Sequence, residues 1–354
     1  MAPTTPLTLF LLTLNCERLV QPELATALPG MLPTPAPSLL LLSLQELAPL
    51  SASFIGGTSL DPYVTTVTES VTTATEALYQ TAFPLVGFHN LGMTALLVFQ
   101  NPTAEVANVS WASVGLGVVG LGNKGAVAVR LEVEGRPITA VAAHLAPDEW
   151  NSEQRDHMWK KIVKECIFPD GGQVYPRDEG AMFVMGDLNY RTGESRPEQT
   201  AEERVDLDTL WEREQLQNRM KKGLTMQGLG EEEVTFPPTY KFVKNGYSKN
   251  RWPSWTDRIL FLPNDGTKFK KYDAAMDYTG SDHKPVFAVV ELDGTLEKNV
   301  ETPFLVEPGW KSKKEFSRKG EVIVGLLWAY GIPGVLVSFA LLMATTLWLA
   351  GKLN

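Results

Sequence analysis

Three short runs of this 354-residue chain set titratable side chains beside apolar segments: FVMGDLNYR (Phe183–Arg191), RWPSWTDRIL (Arg251–Leu260) and GSDHKPV (Gly280–Val286). Each has the layout of a strand ending in polar residues, which is how an open sheet presents chemistry to a common cleft. His283, with an ordinary pKa of about 6.5, can be neutral near pH 7 and accept a proton. Its neighbour Asp282 could orient it, and Asp187 is the rival base. In the middle run Pro253 fixes φ and Ser254 favours a turn, so the segment enters as a loop and leaves as the apolar strand Ile259–Leu262. Asp257 and Arg258 fall where loop becomes strand. A carboxylate beside a guanidinium there, with Trp252 and Trp255 excluding water, suits a catalytic orienting group or plain structural pairing.

The elements that must carry these residues are legible as apolar runs. Leu7–Leu14, ending at Asn15, and Leu39–Leu44, ending at Gln45 and Glu46, read as buried strands, with a proline-rich loop or short broken helix between them. Its apolar content makes Leu7–Leu14 resemble a signal-peptide core, but no basic n-region precedes it and no small-residue cleavage site follows, so a first strand is expected. Asp61–Gln80 predicts a helix in spite of its Thr and Val content. Strand material follows in Pro84–Gln100. Gly115–Gly125 (GLGVVGLGNKG) is dense enough in glycine to form a hairpin turn or to let backbone amides approach a phosphate, with Asn123 and Lys124 as donor and charge. Pro137–Leu145 is a strand ending at His144. Trp150–Phe168 predicts an amphipathic helix with Trp159, Ile162, Val163 and Cys166 inward and Arg155, Lys160, Lys161 and Lys164 outward. Ala181–Met185 is the strand before Asp187 and Asn189, Glu202–Met220 a charged helix, and Lys284–Leu292 the closing strand.

Together GDLNYR, PSWTDRIL and SDHKP resemble the inositol polyphosphate 5-phosphatases, a branch of the DNase I-like endonuclease/exonuclease/phosphatase superfamily. GD-x-N and SDH recur across that superfamily, whereas PSWTDRIL is close to specific for the branch. The resemblance covers roughly Leu7 to Leu292 and implies an α+β fold, a four-layer α/β/β/α sandwich of two packed mixed sheets flanked by helices. It implies a magnesium ion held chiefly by Glu46 with Asn15 nearby, a scissile phosphate contacted by His144 and Asn189, and Asp187, His283, Asp282 and Asp257 as the acid–base and orienting groups. Asn123 and Lys124 are expected at the rim, near the inositol or its 1-phosphate. TFPPTYKF (Thr235–Phe242) resembles the family's PTYK element, so Tyr240, Lys241, Lys249 and Arg251 are expected to form a basic pocket for the 4-phosphate. Where the family usually has Trp before the first Asn and in the strand before GD, this chain has Leu14 and Val184. The implied substrate is phosphatidylinositol 4,5-bisphosphate, with soluble inositol phosphates left open. A nuclease or sphingomyelinase of the same superfamily would have no reason for PSWTDRIL or the PTYK pocket. The other alternative is a silent membrane-tethered scaffold, against which the intact metal and acid–base positions speak.

Bulk properties agree. A net charge of −9 argues against a general nucleic-acid binder, and no obligate protein partner is evident. Two cysteines, Cys16 and Cys166, make no disulfide framework. Six basic residues stand against two acidic ones from Lys311 onward, so the tail carries +4 and the remainder −13. Three regions are expected: a catalytic domain over 1–292, a polar, basic linker over 293–320, and an apolar segment over 321–350. The last is long enough to cross a bilayer of about 30 Å, with Gly331, Pro333 and Gly334 as a kink. Only Gly351–Asn354 follow it, the pattern of a C-terminal tail anchor with the domain on the cytosolic side, leaning toward the endoplasmic reticulum.

Overall fold

The computed structural model describes residues 6–177, 179–197, 207–244, 246–294, 296–297, 301–329 and 343. Its strands are β1 (Leu7–Asn15), β2 (Leu39–Gln45), β3 (Leu85–Leu91), β4 (Thr94–Gln100), β5 (Val106–Gly115), β6 (Gly125–Val133), β7 (Arg136–His144), β8 (Ala181–Asp187), β9 (Gly230–Glu231), β10 (Phe242–Val243), β11 (Gly246–Tyr247), β12 (Asp257–Phe261), β13 (Thr267–Ala274) and β14 (Val286–Leu292). The helices are α1 (Leu24–Met31), α2 (Leu50–Ile55), α3 (Asp61–Tyr79), α4 (Ser152–Glu165), α5 (Leu207–Glu212), α6 (Gln215–Lys221) and α7 (Trp310–Ala329).

Two six-stranded mixed sheets, ordered β13-β14-β1-β2-β4-β3 and β5-β6-β7-β8-β12-β9, pack face to face. Alternation along each strand decides which side chain serves which layer. Leu9, Leu11, Leu39 and Leu41 meet Val127, Val129, Ala140, Ala142, Phe183 and Met185 between the sheets. Their neighbours Phe10, Leu12, Leu40 and Leu42 face outward under Leu24, Leu28, Val64, Val67 and Val71 of α1 and α3. On the other outer face Ala126, Ala128, Val141, Ala143 and Val184 lie under Met158, Trp159, Ile162 and Val163 of α4. Both faces of each central strand are thus covered, which is why the runs are almost continuously apolar. The four-layer expectation holds in this part of the chain.

The helix expected from Asp61 forms. Pro62 sits in its first turn, and Thr66, Thr68, Ser70 and Thr75 bond back to carbonyls four residues earlier, which accommodates their hydroxyls within the helix. Arg155, expected on the outer face of α4, is instead buried and donates to the carbonyls of Ala146 and Asp148 and to Gln215. The long charged helix from Glu202 is two short helices within the described residues, broken where Glu214 turns its carboxylate to the amides of Leu216 and Gln217 at 3.0 and 2.7 Å.

The largest departure is at the C-terminal end. The segment expected as a free linker becomes helical at Trp310, and α7 docks beside α2, with Val324 against Phe54 and Leu121. Among the described residues no helix is long and apolar enough to cross a membrane, and residues 330–342 and 344–350 of the expected span lie outside them.

Candidate active site

The chemistry sits where strand ends meet along one edge of the sandwich. β1 and β2 are parallel and in register, so Asn15 lies beside Gln45 and Glu46 follows at once. In the second sheet His144 of β7 pairs in register with Asp187 of β8, and Asp187 with Asp257 of β12. Gly125 opposes His144, which brings Lys124 into the same row. The glycine before Asp187 is demanded by this closeness: a Cβ at Gly186 would lie 1.8 Å from the Ala143 carbonyl oxygen.

Side chains join these ends into one chain of contacts. Arg18 Nε lies 2.9 Å from Glu46, and Lys124 Nζ lies 3.9 Å from the same carboxylate while touching His144 Nε2. His144 Nε2 is 3.2 Å from Asp187 Oδ2, which also accepts from Asn15 Nδ2 at 3.0 Å. The other Asp187 oxygen accepts the Asn189 amide at 3.1 Å. Burial alone would raise the Asp187 pKa, but the His144 contact and the charges of His283 and Lys124 hold it well below the usual carboxylate range. Burial, followed by the nearby Lys124 charge, lowers the pKa of His144, so its ring is neutral near pH 7. Lys124 is itself lowered, chiefly by burial.

His283 is gripped from behind. Its Nδ1 lies 2.9 Å from Asp257 Oδ2, and that carboxylate also accepts from the hydroxyls of Thr239 at 2.7 Å and Thr256 at 2.9 Å. Burial would lower the pKa of His283, but the charge and hydrogen bond of Asp257, then the charges of Asp187 and Asp282, push it up to about 9. The orienting partner is therefore Asp257 and not the adjacent Asp282, whose oxygen is 3.9 Å from Nε2 and which pairs with Lys241 Nζ at 2.6 Å. Asp257 and Arg258 do not pair with each other. As consecutive strand residues they face opposite ways, and Arg258 turns to Glu214 and Glu231 in a buried cluster away from the cleft.

The remaining expected site residues divide. Tyr240 is buried with its ring 4.5 Å from that of His283. Lys241, with Lys244, Lys284, Glu17 and Asp282, lines a cavity of about 650 Å³ next to the acid–base pair. Arg251 is drawn to Asp148 and Glu149, 2.8 Å from each, and Lys249 is exposed on the loop after β11. Lys124, expected at the rim, lies at the centre, and Asn123 stays exposed above it. Sequence reasoning missed Arg18 and Arg191. Arg191 bonds both oxygens of Asn189 and lies 4.5 Å over the Tyr240 ring, tying the GDLN turn to the PTYK turn. Its place in GDLNYR was the available signal.

Asp187, Asp257 and His283 bring ligand atoms within 4.8 Å of one another. A protonated His283 has no lone pair for a metal, so this trio reads as an acid–base group. The hard-oxygen site is Glu46, whose backbone sits at φ +45° and whose carboxylate is drawn to two cationic side chains. One carboxylate with an amide oxygen from Asn15, whose Oδ1 accepts the Glu17 amide at 3.0 Å and keeps a second lone pair, matches the donor set of a magnesium ion that leaves most positions to water and phosphate.

Comparison with known proteins decides the family, since residues 12–289 match the family described as Endonuclease/Exonuclease/phosphatase family 2. The chain belongs to that family. Among its relatives are the mouse type II inositol 1,4,5-trisphosphate 5-phosphatase, 32% identical over 56% of this chain, and the Saccharomyces cerevisiae phosphatidylinositol 4,5-bisphosphate 5-phosphatase INP51, 35% identical over 58%. The matched parts are 21% and 22% of those proteins, so the chain spans about a fifth of the length of each of these two relatives. The inositol polyphosphate 5-phosphatase domain of SpSynaptojanin, solved with inositol (1,4)-bisphosphate and calcium, superposes with a TM-score of 0.70 at 25% identity over 90% of each chain. These relatives support the inositol polyphosphate 5-phosphatase branch that the three motifs indicated, and with it a phosphatase.

Proposed function

We propose that this member of the family is a magnesium-dependent phosphomonoesterase that removes the 5-phosphate of phosphatidylinositol 4,5-bisphosphate at a cytosolic membrane face. The observation that carries the reading is the unbroken contact chain from Glu46 through Lys124, His144 and Asp187, with His283 and Asp257 beside it. The calcium and the inositol bisphosphate held by the SpSynaptojanin domain support a divalent cation and a phosphorylated ring in the same cleft.

Phosphate monoesters hydrolyse extremely slowly in water, so the site must align a water and neutralise charge on the transferred group. When bound at Glu46, with Asn15 adjacent, magnesium supplies Lewis-acid and templating chemistry to the phosphate oxygens. Asp187, ionised throughout the working range, holds the attacking water by accepting its hydrogen bond. Lys124 and Asn189 offer positive charge and an amide donor to the non-bridging oxygens. With its low pKa, Asp187 orients that water rather than keeping its proton, which passes to a phosphate oxygen of the product while the leaving ring oxygen takes one from His283, and His283 is then recharged from solvent. His283, charged near pH 7 by Asp257, donates from Nε2 to an oxygen on which negative charge develops. Lys241 stands where a neighbouring ring phosphate would lie.

The anchor is part of the same proposal. The outer side of α7 exposes Ile323, Leu326 and Trp328, an apolar face leading directly into the segment expected to span the bilayer. The proposed organisation is a catalytic domain with a docked basic helix and a C-terminal anchor in the endoplasmic reticulum. Phosphate release from vesicles of the bisphosphate lipid, with magnesium and with chelator, tests the activity. Magnesium-dependent release that chelator abolishes is expected. Release indifferent to chelation, or absent with the lipid yet present with abasic DNA or sphingomyelin, would overturn it.

A further inference from the structure

The loop that delivers Lys124 to the cleft is held from outside by α7. Val119 in that loop has φ +49°, a conformation that a β-branched residue adopts only under constraint. Its carbonyl accepts the Ser317 hydroxyl of α7 at 3.0 Å. Leu121 is packed between Phe54 of α2 and Val324 of α7. One turn back along α7, Glu321 is fully buried against Gly122, where a Cβ would lie 2.7 Å from its Oε1. That oxygen has no full hydrogen bond although the Gly122 amide faces it, and the other oxygen pairs with Arg318 at 3.3 Å. Within the loop the Leu116 amide bonds the Lys124 carbonyl at 2.8 Å, and Met93 takes the Gly122 carbonyl at 3.0 Å. A buried carboxylate that the chemistry does not use, set against a glycine two residues before a central lysine, is a costly feature to keep on an otherwise solvated basic helix.

We infer that Glu321 is a positioning residue: from α7 it sets the glycine loop so that Lys124 reaches His144 and Glu46, which couples the cleft to the helix preceding the C-terminal apolar segment. The inference rests on the phosphatase reading for its kinetic arm only. Burial pushes the Glu321 carboxyl up to about 7, against the pull of Arg318 and the Gly122 amide, consistent with a group enclosed by the contact.

The test uses the full chain with Glu321→Ala, Glu321→Gln, Lys124→Ala, the double variant Glu321→Ala/Lys124→Ala, and Lys319→Ala as a control on the exposed side of α7. Soluble inositol trisphosphate is the substrate, so that membrane recruitment does not enter. Glu321→Ala is expected to lower kcat about tenfold with KM little changed. Glu321→Gln, which keeps the shape, is expected to restore most of that, and Lys319→Ala to leave kcat as it is. In the Lys124→Ala background the Glu321→Ala step is expected to have no further effect, because its action passes through that lysine. Additive losses, or no rescue by glutamine, would overturn the inference. Hydrogen exchange gives a readout that needs no substrate: the Leu116 amide is expected to exchange about tenfold faster in Glu321→Ala. Unchanged exchange refutes the positioning role even if the phosphatase reading stands, and faster exchange in a chain without activity on inositol phosphates separates the two claims. If Glu321→Ala does not fold, Ser317→Ala tests the same grip on the loop through Val119, with the same expected acceleration at Leu116.

Discussion

Replacing Asp257 with Asn isolates the group that sets the charge of His283. The carboxylate touches Nδ1 at 2.9 Å and holds its own position through the Thr239 and Thr256 hydroxyls, which a carboxamide oxygen can still accept. Raising the imidazole from 6.5 to about 9 favours the charged ring in the folded chain by about 3 kcal/mol, at about 1.4 kcal/mol per pH unit. Asp257 is the largest positive contributor, ahead of Asp187 and Asp282, so its removal should forfeit about 2 kcal/mol of this. The folded pKa lies above the unfolded one, so the stabilisation is fully present below pH 6.5 and is lost as pH rises through about 9. Urea unfolding at pH 6 and pH 10 should therefore show a gap between the parent and Asp257→Asn that shrinks by that amount at the higher pH. NMR of the His283 ring should show titration near 9 in the parent and well below that in the variant, where only the charges of Asp187 and Asp282 still oppose burial. Turnover should fall by about two to four orders of magnitude, because a neutral ring is a weaker donor to the developing charge. In the parent, activity should decline as pH rises through about 9. A His283 that titrates near 6.5 in the parent, or a stability gap equal at both pH values, would refute the reasoning.

Three further outcomes follow from contacts around the cleft. Arg258→Ala should cost about 3–5 kcal/mol in urea unfolding, since it strands Glu214 and Glu231 in the interior, while kcat per folded molecule holds. Lys241→Ala should raise KM about tenfold for a ring carrying a 4-phosphate and much less for one without it, as read by parallel kinetics on the two soluble substrates. Arg191→Ala should lower kcat about tenfold or more with little change in KM, because the GDLN turn loses its tie to Tyr240. Steady-state assays on soluble substrate check that split.

Much of the site was readable because strand register is strict. Once Ala181–Met185, Pro137–Leu145 and Ile259–Leu262 are strands, their polar ends can share one edge, and the structure aligns His144, Asp187 and Asp257 across three neighbours. Partner choice was harder to read. Asp282 adjoins His283 in the chain, yet the histidine turns to Asp257, because alternation sends Arg258 to the opposite face and leaves that carboxylate facing the ring. Lys124 was expected at the rim, and the opposition of Gly125 to His144 draws it inward. Strand β13 escaped notice since TKFKKYDA alternates exposed lysines with apolar residues, the pattern of a protected sheet edge. The docked α7 was hidden by its composition: a basic run reads as solvated, and nothing local reveals that Glu321 is enclosed by a glycine loop some 200 residues earlier.

The most direct measurement of the central claim is the identity of the products formed from phosphatidylinositol 4,5-bisphosphate by the full chain in magnesium. Anion-exchange chromatography should find phosphatidylinositol 4-phosphate with an equal amount of inorganic phosphate, and neither from Glu46→Gln. Phosphatidylinositol 5-phosphate, diacylglycerol with released inositol trisphosphate, or undiminished turnover in Glu46→Gln would contradict the convergence of these strand ends on a single 5-phosphate.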